Sequence, residues 1–160
     1  MSSPAPLHLL PPGAALYRLR HPAHPSRPAP TAGHLFFVPD ARLLDVIALF
    51  RHATHPGAPL IADRFEVARP LRLAVLDAAA GYEHLATSLS PQLAARQRAS
   101  GMRHVPGTVP VNLSNEDYIP YVRAAGLDGW LDLDVSNGFM TELMVCSLDH
   151  LTHTGSITLP

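Results

Sequence analysis

Prolines break the first part of this chain into short segments. The 160 residues include 17 prolines and 10 glycines. Each proline fixes its own φ, lacks an amide donor and pushes the residue before it out of helical space. Residues 21–31 show the effect at its strongest. Pro22, Pro25, Pro28 and Pro30 exclude both helix and paired strand there, so the segment is expected to cross the surface as a long loop. Between such breaks the chain offers short segments, many with the period-two alternation of strands.

Read in order, residues 1–13 are a Pro-rich lead-in, free to be flexible, that ends in the turn signal Pro11-Pro12-Gly13. Residues 14–20 read as the first strand, with Tyr17 and Leu19 on one face and Arg18 and Arg20 on the other. Leu35 to Val38 form an apolar run closed by Pro39, and Asp40 is an N-cap for a helix over residues 41–52. Residues 65–68 and 71–76 read as strands around Pro70. Residues 81–98 carry a helical pattern in which Ser90-Pro91 supplies an N-cap and a first-turn proline. A short helix over residues 115–125 ends on Gly126 as its left-handed cap. Residues 127–133 read as strand and Ser136-Asn137-Gly138 as a turn. Residues 139–147 then form a strand with Glu142, Met144 and Cys146 on one face and Leu143 and Val145 on the other, and residues 156–159 close the chain as a last strand. Runs of strand without regular βαβ alternation predict an α+β fold, in one domain over residues 1–160.

Composition narrows the function. Hydrophobic residues make up 47% of the chain, enough to fill one core, and the formal net charge is -1. The basic residues are scattered, which argues against a protein that coats a nucleic-acid duplex. All 12 are arginine, so Schiff-base lysine chemistry is excluded. Cys146 is the single cysteine; it permits no intrachain disulfide and no thiolate-rich zinc site, and reads as a small buried apolar residue. The 10 histidines show no HExxH-type spacing, so no metal is expected. There is no apolar stretch of spanning length and no secretory-type start, which predicts a cytoplasmic protein without membrane attachment. Phosphate-binding glycine loops of the GxGxxG or Walker type are also missing.

The order of segments from Leu16 to Ile157 resembles the ADP-ribosyltransferase superfamily. Leu16-Tyr17-Arg18 stands where that family has its opening Tyr-Arg strand. Gly33-His34-Leu35-Phe36-Phe37-Val38-Pro39-Asp40 matches its aromatic strand and helix start, and Gly126-Leu127-Asp128-Gly129-Trp130 is similar to a late Gly-Tyr-Asp-Gly-Trp-like segment. Thr141-Glu142-Leu143-Met144-Val145 looks like the strand bearing the catalytic glutamate. The resemblance implies a split β-sheet core with flanking short helices, a cleft between two small sheets, and NAD⁺ as substrate. Catalytic roles would fall to Glu142 and Arg18, cofactor binding to Arg18, Arg20, His34, Phe36 and Phe37, and acceptor recognition to Phe139.

Chemistry gives those residue types a reason. Breaking the nicotinamide–ribose bond passes through an oxocarbenium-like centre that a carboxylate stabilises, and the planar fork of arginine suits a pyrophosphate. Each residue also has a plainer reading: Glu142 as a solvent-facing strand residue, Arg18 as a surface charge or half of an ion pair, and Phe36, Phe37 and Trp130 as core. Two departures matter. Val38 stands where the family often has Ser or Thr, leaving His34 or Tyr17 to steady the cofactor. Met140 stands two residues before Glu142 where arginine-modifying branches place Glu or Gln, which disfavours arginine as acceptor. The activities implied are a toxin-like ADP-ribosyltransferase acting on a protein, nucleic acid or small molecule, with an antitoxin or complex partner as its counterpart. Alternatives are an NAD glycohydrolase, or an inactive binding module on the same fold. A separate reading makes the Pro-rich residues 21–30 a ligand for another domain.

Overall fold

The computed structural model of the chain describes residues 4–20, 34–37, 60–76, 81–99, 115–133 and 141–159. Its strands are β1 (Leu7–Leu10), β2 (Ala15–Arg20), β3 (His34–Phe37), β4 (Leu60–Val67), β5 (Leu71–Leu76), β6 (Gly129–Leu133), β7 (Thr141–Val145) and β8 (Leu151–Leu159). Among the described residues the helices are α1 (Gly81–Leu89), α2 (Pro91–Ala99) and α3 (Asn115–Ala124). The fold is α+β. Among the described residues, all eight strands belong to one mixed sheet in the order β1-β5-β6-β7-β3-β2-β4-β8, in which only β5 and β6 are parallel.

That order cannot be laid out flat. β1 and β2 are five inter-strand steps apart in the sheet, roughly 24 Å at ordinary strand spacing. The link from Leu10 to Ala15 reaches at most roughly 17 Å. The link from β4 to β5, through Ala68, Arg69 and Pro70, meets the same separation with roughly 14 Å of reach. The sheet must therefore bend back until its two halves face each other. The core shows that it does: Leu10, Leu16, Val67, Leu71, Leu73, Leu131, Leu143 and Val145, drawn from both halves, form one buried cluster on the inner face. Backbone hydrogen bonds lock the closing turn, with Gly13 N donating to Val67 O at 2.8 Å and Val67 N to Ala14 O at 3.0 Å. Gly13 sits at φ 80, a conformation that strains any residue with a Cβ.

Helices cover the outer face of β5, β6 and β7. Tyr82, Leu85 and Ala86 of α1, Leu93 and Ala94 of α2, and Tyr118, Ile119 and Val122 of α3 recur at helical spacing and pack with Ala74, Trp130, Met144 and Cys146. Tyr82, Tyr118 and Trp130 form a ring cluster with centroids 5.3 to 6.4 Å apart. The Tyr118 hydroxyl is satisfied by a hydrogen bond to Gln97. Burial pushes the Cys146 thiol up to about 11, in keeping with its reading as a small apolar residue. No helix among the described residues is long and apolar enough to cross a membrane.

Local signals explain several boundaries. Ser90 separates α1 from α2, and its Oγ accepts from Gln92 N at 3.2 Å and Leu93 N at 3.5 Å, the expected cap. α3 ends in a Schellman motif, with Leu127 N donating to Val122 O and Gly126 N to Arg123 O while Gly126 holds φ 69. Other expectations are revised. Residues 7–10 are not a loose lead-in but a strand paired with β5. β4 begins at Leu60 rather than at Phe65, and β8 at Leu151 rather than at Ser156; Asp63-Arg64 in β4 and Thr152-His153-Thr154 in β8 interrupt the apolar alternation that marks a strand. The helix over residues 41–52, the long loop of residues 21–31 and the turn at residues 136–138 lie outside the described residues.

Every distinctive residue of Gly126-Leu127-Asp128-Gly129-Trp130 has a structural task. Gly126 ends α3 and Trp130 fills the core. The Asp128 carboxylate accepts from Arg72 N at 2.8 Å and from Arg69 Nη2 at 2.9 Å, tying β6 to the tight link before β5. A Cβ on Gly129 would lie 1.9 Å from the carbonyl oxygen of Met144, so only glycine allows β6 to approach β7. Gly129→Ala is expected to destabilise the fold by about 1–3 kcal/mol or more, read as a lower urea midpoint. An unchanged midpoint would place β6 elsewhere.

Candidate functional site

Strand pairing assembles one cross-strand row on the outer face. Tyr17 is in register with Arg64 of β4 on one side and Phe37 of β3 on the other. Phe37 pairs with Glu142 of β7, and Glu142 with Asp132 of β6. Arg64, Tyr17, Phe37, Glu142 and Asp132 therefore follow one another across five neighbouring strands.

The cationic end of the row is built with care. Arg64 Nη1 donates to Glu66 Oε1 at 2.7 Å and to Thr154 Oγ1 at 2.9 Å. The hydrogen bond to Glu66 foremost, with a lesser contribution from Tyr17, raises the Arg64 pKa further. Thr154 comes from an irregularity in the β4–β8 ladder, where Phe65 pairs with His153 and Arg64 with Gly155. Thr154 is thus an extra residue on β8, a bulge of the kind that re-aims a side chain. Its hydroxyl also donates to Arg64 O at 3.3 Å.

Arg18 lies elsewhere. It alternates with Tyr17 along β2 and is in register with Asp63, which puts it on the inner face, in the row opposite to that of Glu142. Desolvation lowers the Arg18 pKa, and the charge of Asp63 works against that shift. Asp63 is buried at 9% exposure and accepts from Ser156 Oγ at 2.5 Å. His153 Nε2 stands 3.3 Å from Ser156 Oγ and 3.8 Å from Asp63 Oδ1. Although Ser, His and Asp meet here, the arrangement is no nucleophilic triad: the same ring nitrogen faces both partners, and the serine already gives its proton to the carboxylate.

The residues expected to act together thus divide. Phe37 and Glu142 share the outer row. Arg18, Arg20, His34 and Phe36 belong to inner-face positions, with Arg20 in register with Ile61, His34 with Val145 and Phe36 with Leu143. The physical reason is the unbroken alternation of β2 and β3, which separates each residue from its sequence neighbour. Phe139, Val38 and Met140 fall outside the described residues. The cleft between two sheets is replaced by a single sheet folded into two halves. Arg64 and Asp132 entered the row unforeseen. Their alternation was legible in each strand, but the order of strands that makes them neighbours was not.

Among the described residues no three His, Cys, Asp or Glu side chains are grouped to hold a metal ion. Comparison with protein-family models, with curated proteins and with solved structures finds no match.

The inner-face corner yields a stability test. Asp63→Ala removes the acceptor of Ser156 and the counter-charge of Arg18, and is expected to cost about 1–3 kcal/mol in urea unfolding. Wild-type stability would remove Asp63 from the packing of the inner face.

Proposed function

We propose that this chain adopts an ADP-ribosyltransferase-like variant of the α+β fold and cleaves the nicotinamide–ribose bond of NAD⁺, passing ADP-ribose to an acceptor. The observation that carries the proposal is the row Arg64-Tyr17-Phe37-Glu142-Asp132. It supports the reading because it aligns, in strand order, the chemical types such a reaction uses: a cation, aromatic rings and a carboxylate pair.

In this proposal Glu142 is the carboxylate at the reacting sugar. As the bond between C1′ and the nicotinamide nitrogen breaks, its electron pair leaves with nicotinamide, and C1′ becomes electron-poor. A neighbouring carboxylate stabilises that charge, and most strongly where water is scarce. The acceptor's lone pair then closes on C1′ and its proton is released. Asp132, in register with Glu142 on the neighbouring strand, supplies a second carboxylate for the electron-poor centre. Phe37 and Tyr17 offer ring surface to nicotinamide or its ribose. Arg18 has no part in this chemistry; its register with Asp63 fits the plainer role of half an ion pair. With water in place of the acceptor, the same residues perform NAD⁺ hydrolysis.

Mass-spectrometric detection of nicotinamide, with cell lysate as the acceptor source, tests the proposal. Wild type is expected to release nicotinamide, and Glu142→Ala to lose at least about 100-fold of the rate while keeping the wild-type unfolding midpoint. ADP-ribose attached to a lysate component indicates transfer, and free ADP-ribose alone indicates hydrolysis. NAD⁺ left intact by wild type, or normal turnover by Glu142→Ala, would overturn the assignment in favour of a binding module.

A further inference from the structure

We infer that the β1 edge of the sheet, with the arginine cluster beside it, is a docking site for an acidic peptide segment that joins the sheet as a further strand. This is independent of the proposed NAD⁺ chemistry.

The edge is the first argument. Among the described residues β1 ends the sheet, with β5 as its one partner. Val75 N donates to Pro6 O at 2.8 Å. Antiparallel pairs alternate between bonded and unbonded positions, so His8 and Leu10 turn their peptide groups toward β5 while Leu7 and Leu9 turn theirs away. The same two leucines carry side chains that are 51% and 58% exposed, and they stand in register with Ala74 and Arg72. Outward backbone groups beside exposed apolar side chains are what strand addition uses. At the opposite end of the sheet β8 is interrupted by its bulge at Thr154, a feature that turns an edge away from pairing.

Charge is the second. Arg69, Arg72 and Arg123 lie apart in the sequence, yet all three are exposed and surround the turn from α3 into β6. Arg69 Nη2 meets Asp128 Oδ1 at 2.9 Å. Arg72 Nη1 comes within 3.5 Å of where a Cβ on Gly126 would stand. Arg123 Nη2 donates to Cys146 O at 2.6 Å, and Cys146 N donates to Asp128 O at 2.9 Å. Among the described residues Arg69 has an acidic partner, whereas Arg72 and Arg123 form no ion pair, so the cluster is left with an excess of positive charge. A strand added outside β1 runs two inter-strand steps from Arg72, roughly 10 Å, a gap that closes when an arginine and a glutamate extend toward each other. Acidic residues of the added strand thus face the arginines while an apolar one covers Leu7. A second copy of the chain pairing through β1 would instead bring two arginine clusters to one interface.

Fluorescence anisotropy of a labelled peptide that alternates threonine with valine and glutamate tests the inference. Comparison probes are the same peptide with glutamine for glutamate, its N-methylated form, and a labelled oligothymidylate. Wild type is expected to bind the acidic peptide at low salt and to lose most of that affinity at about 1 M salt, where charges are screened. Arg72→Gln combined with Arg123→Gln should raise Kd about 10-fold. Arg96→Gln combined with Arg98→Gln, which changes the net charge equally on α2, should stay within about two-fold. Leu9→Pro removes an outward N–H and leaves the ladder to β5 intact, so it should weaken binding at an unchanged unfolding midpoint; the N-methylated peptide, which lacks the matching donors, should not bind. Failure of wild type to bind the acidic peptide would overturn the inference, as would equal binding of the glutamine or N-methylated peptide, or an unchanged Kd for the Arg72 and Arg123 variant. Tighter binding of oligothymidylate would assign the cluster to nucleic acid instead, and self-association abolished by Leu9→Pro would assign the edge to a second copy.

Discussion

Two short links decide the architecture. The turn between β1 and β2 and the Ala68-Arg69-Pro70 link between β4 and β5 join strands that a flat sheet would hold too far apart. Bending the sheet is the only way to satisfy both. The bend encloses the inner face, and the leucines and valines from both halves then bury one another without a second sheet. It also sets the row Arg64-Tyr17-Phe37-Glu142-Asp132, by register, on the outer face that carries the helical layer. Closure, core and candidate site are thus consequences of one constraint on chain length.

The segment Gly126-Leu127-Asp128-Gly129-Trp130 shows how structural and functional readings of one motif can be separated. Its glycines cap α3 and admit the Met144 carbonyl, its aspartate ties the β4–β5 link, and its tryptophan joins the ring cluster with Tyr82 and Tyr118. Such tasks are enough to fix the sequence of the segment. Resemblance through these residues therefore speaks to how the chain folds, and the case for chemistry rests on the row centred on Glu142.

Local physics was legible in the sequence. Ser90 as a cap, Gly126 as a left-handed stop, the burial of Cys146 and Trp130, and the alternation of Tyr17 with Arg18 and of Glu142 with Leu143 all follow from rules that act within a few residues. What could not be read was pairing. Strand order depends on closure of the whole sheet, and a shift by one residue decides which face a residue joins. The resemblance makes Arg18 the partner of Glu142, yet their registers assign them to opposite faces. β1 was hidden among prolines, and the polar run Thr152-His153-Thr154 concealed a nine-residue strand.

The most direct test of the account is a crystal structure of the protein with ADP-ribose bound. The ligand should lie along the outer face, with its ribose end at Glu142 and Asp132. ADP-ribose bound on the inner face, at Arg18 and Asp63, would contradict the account and return the site to the arginine that the register sets apart.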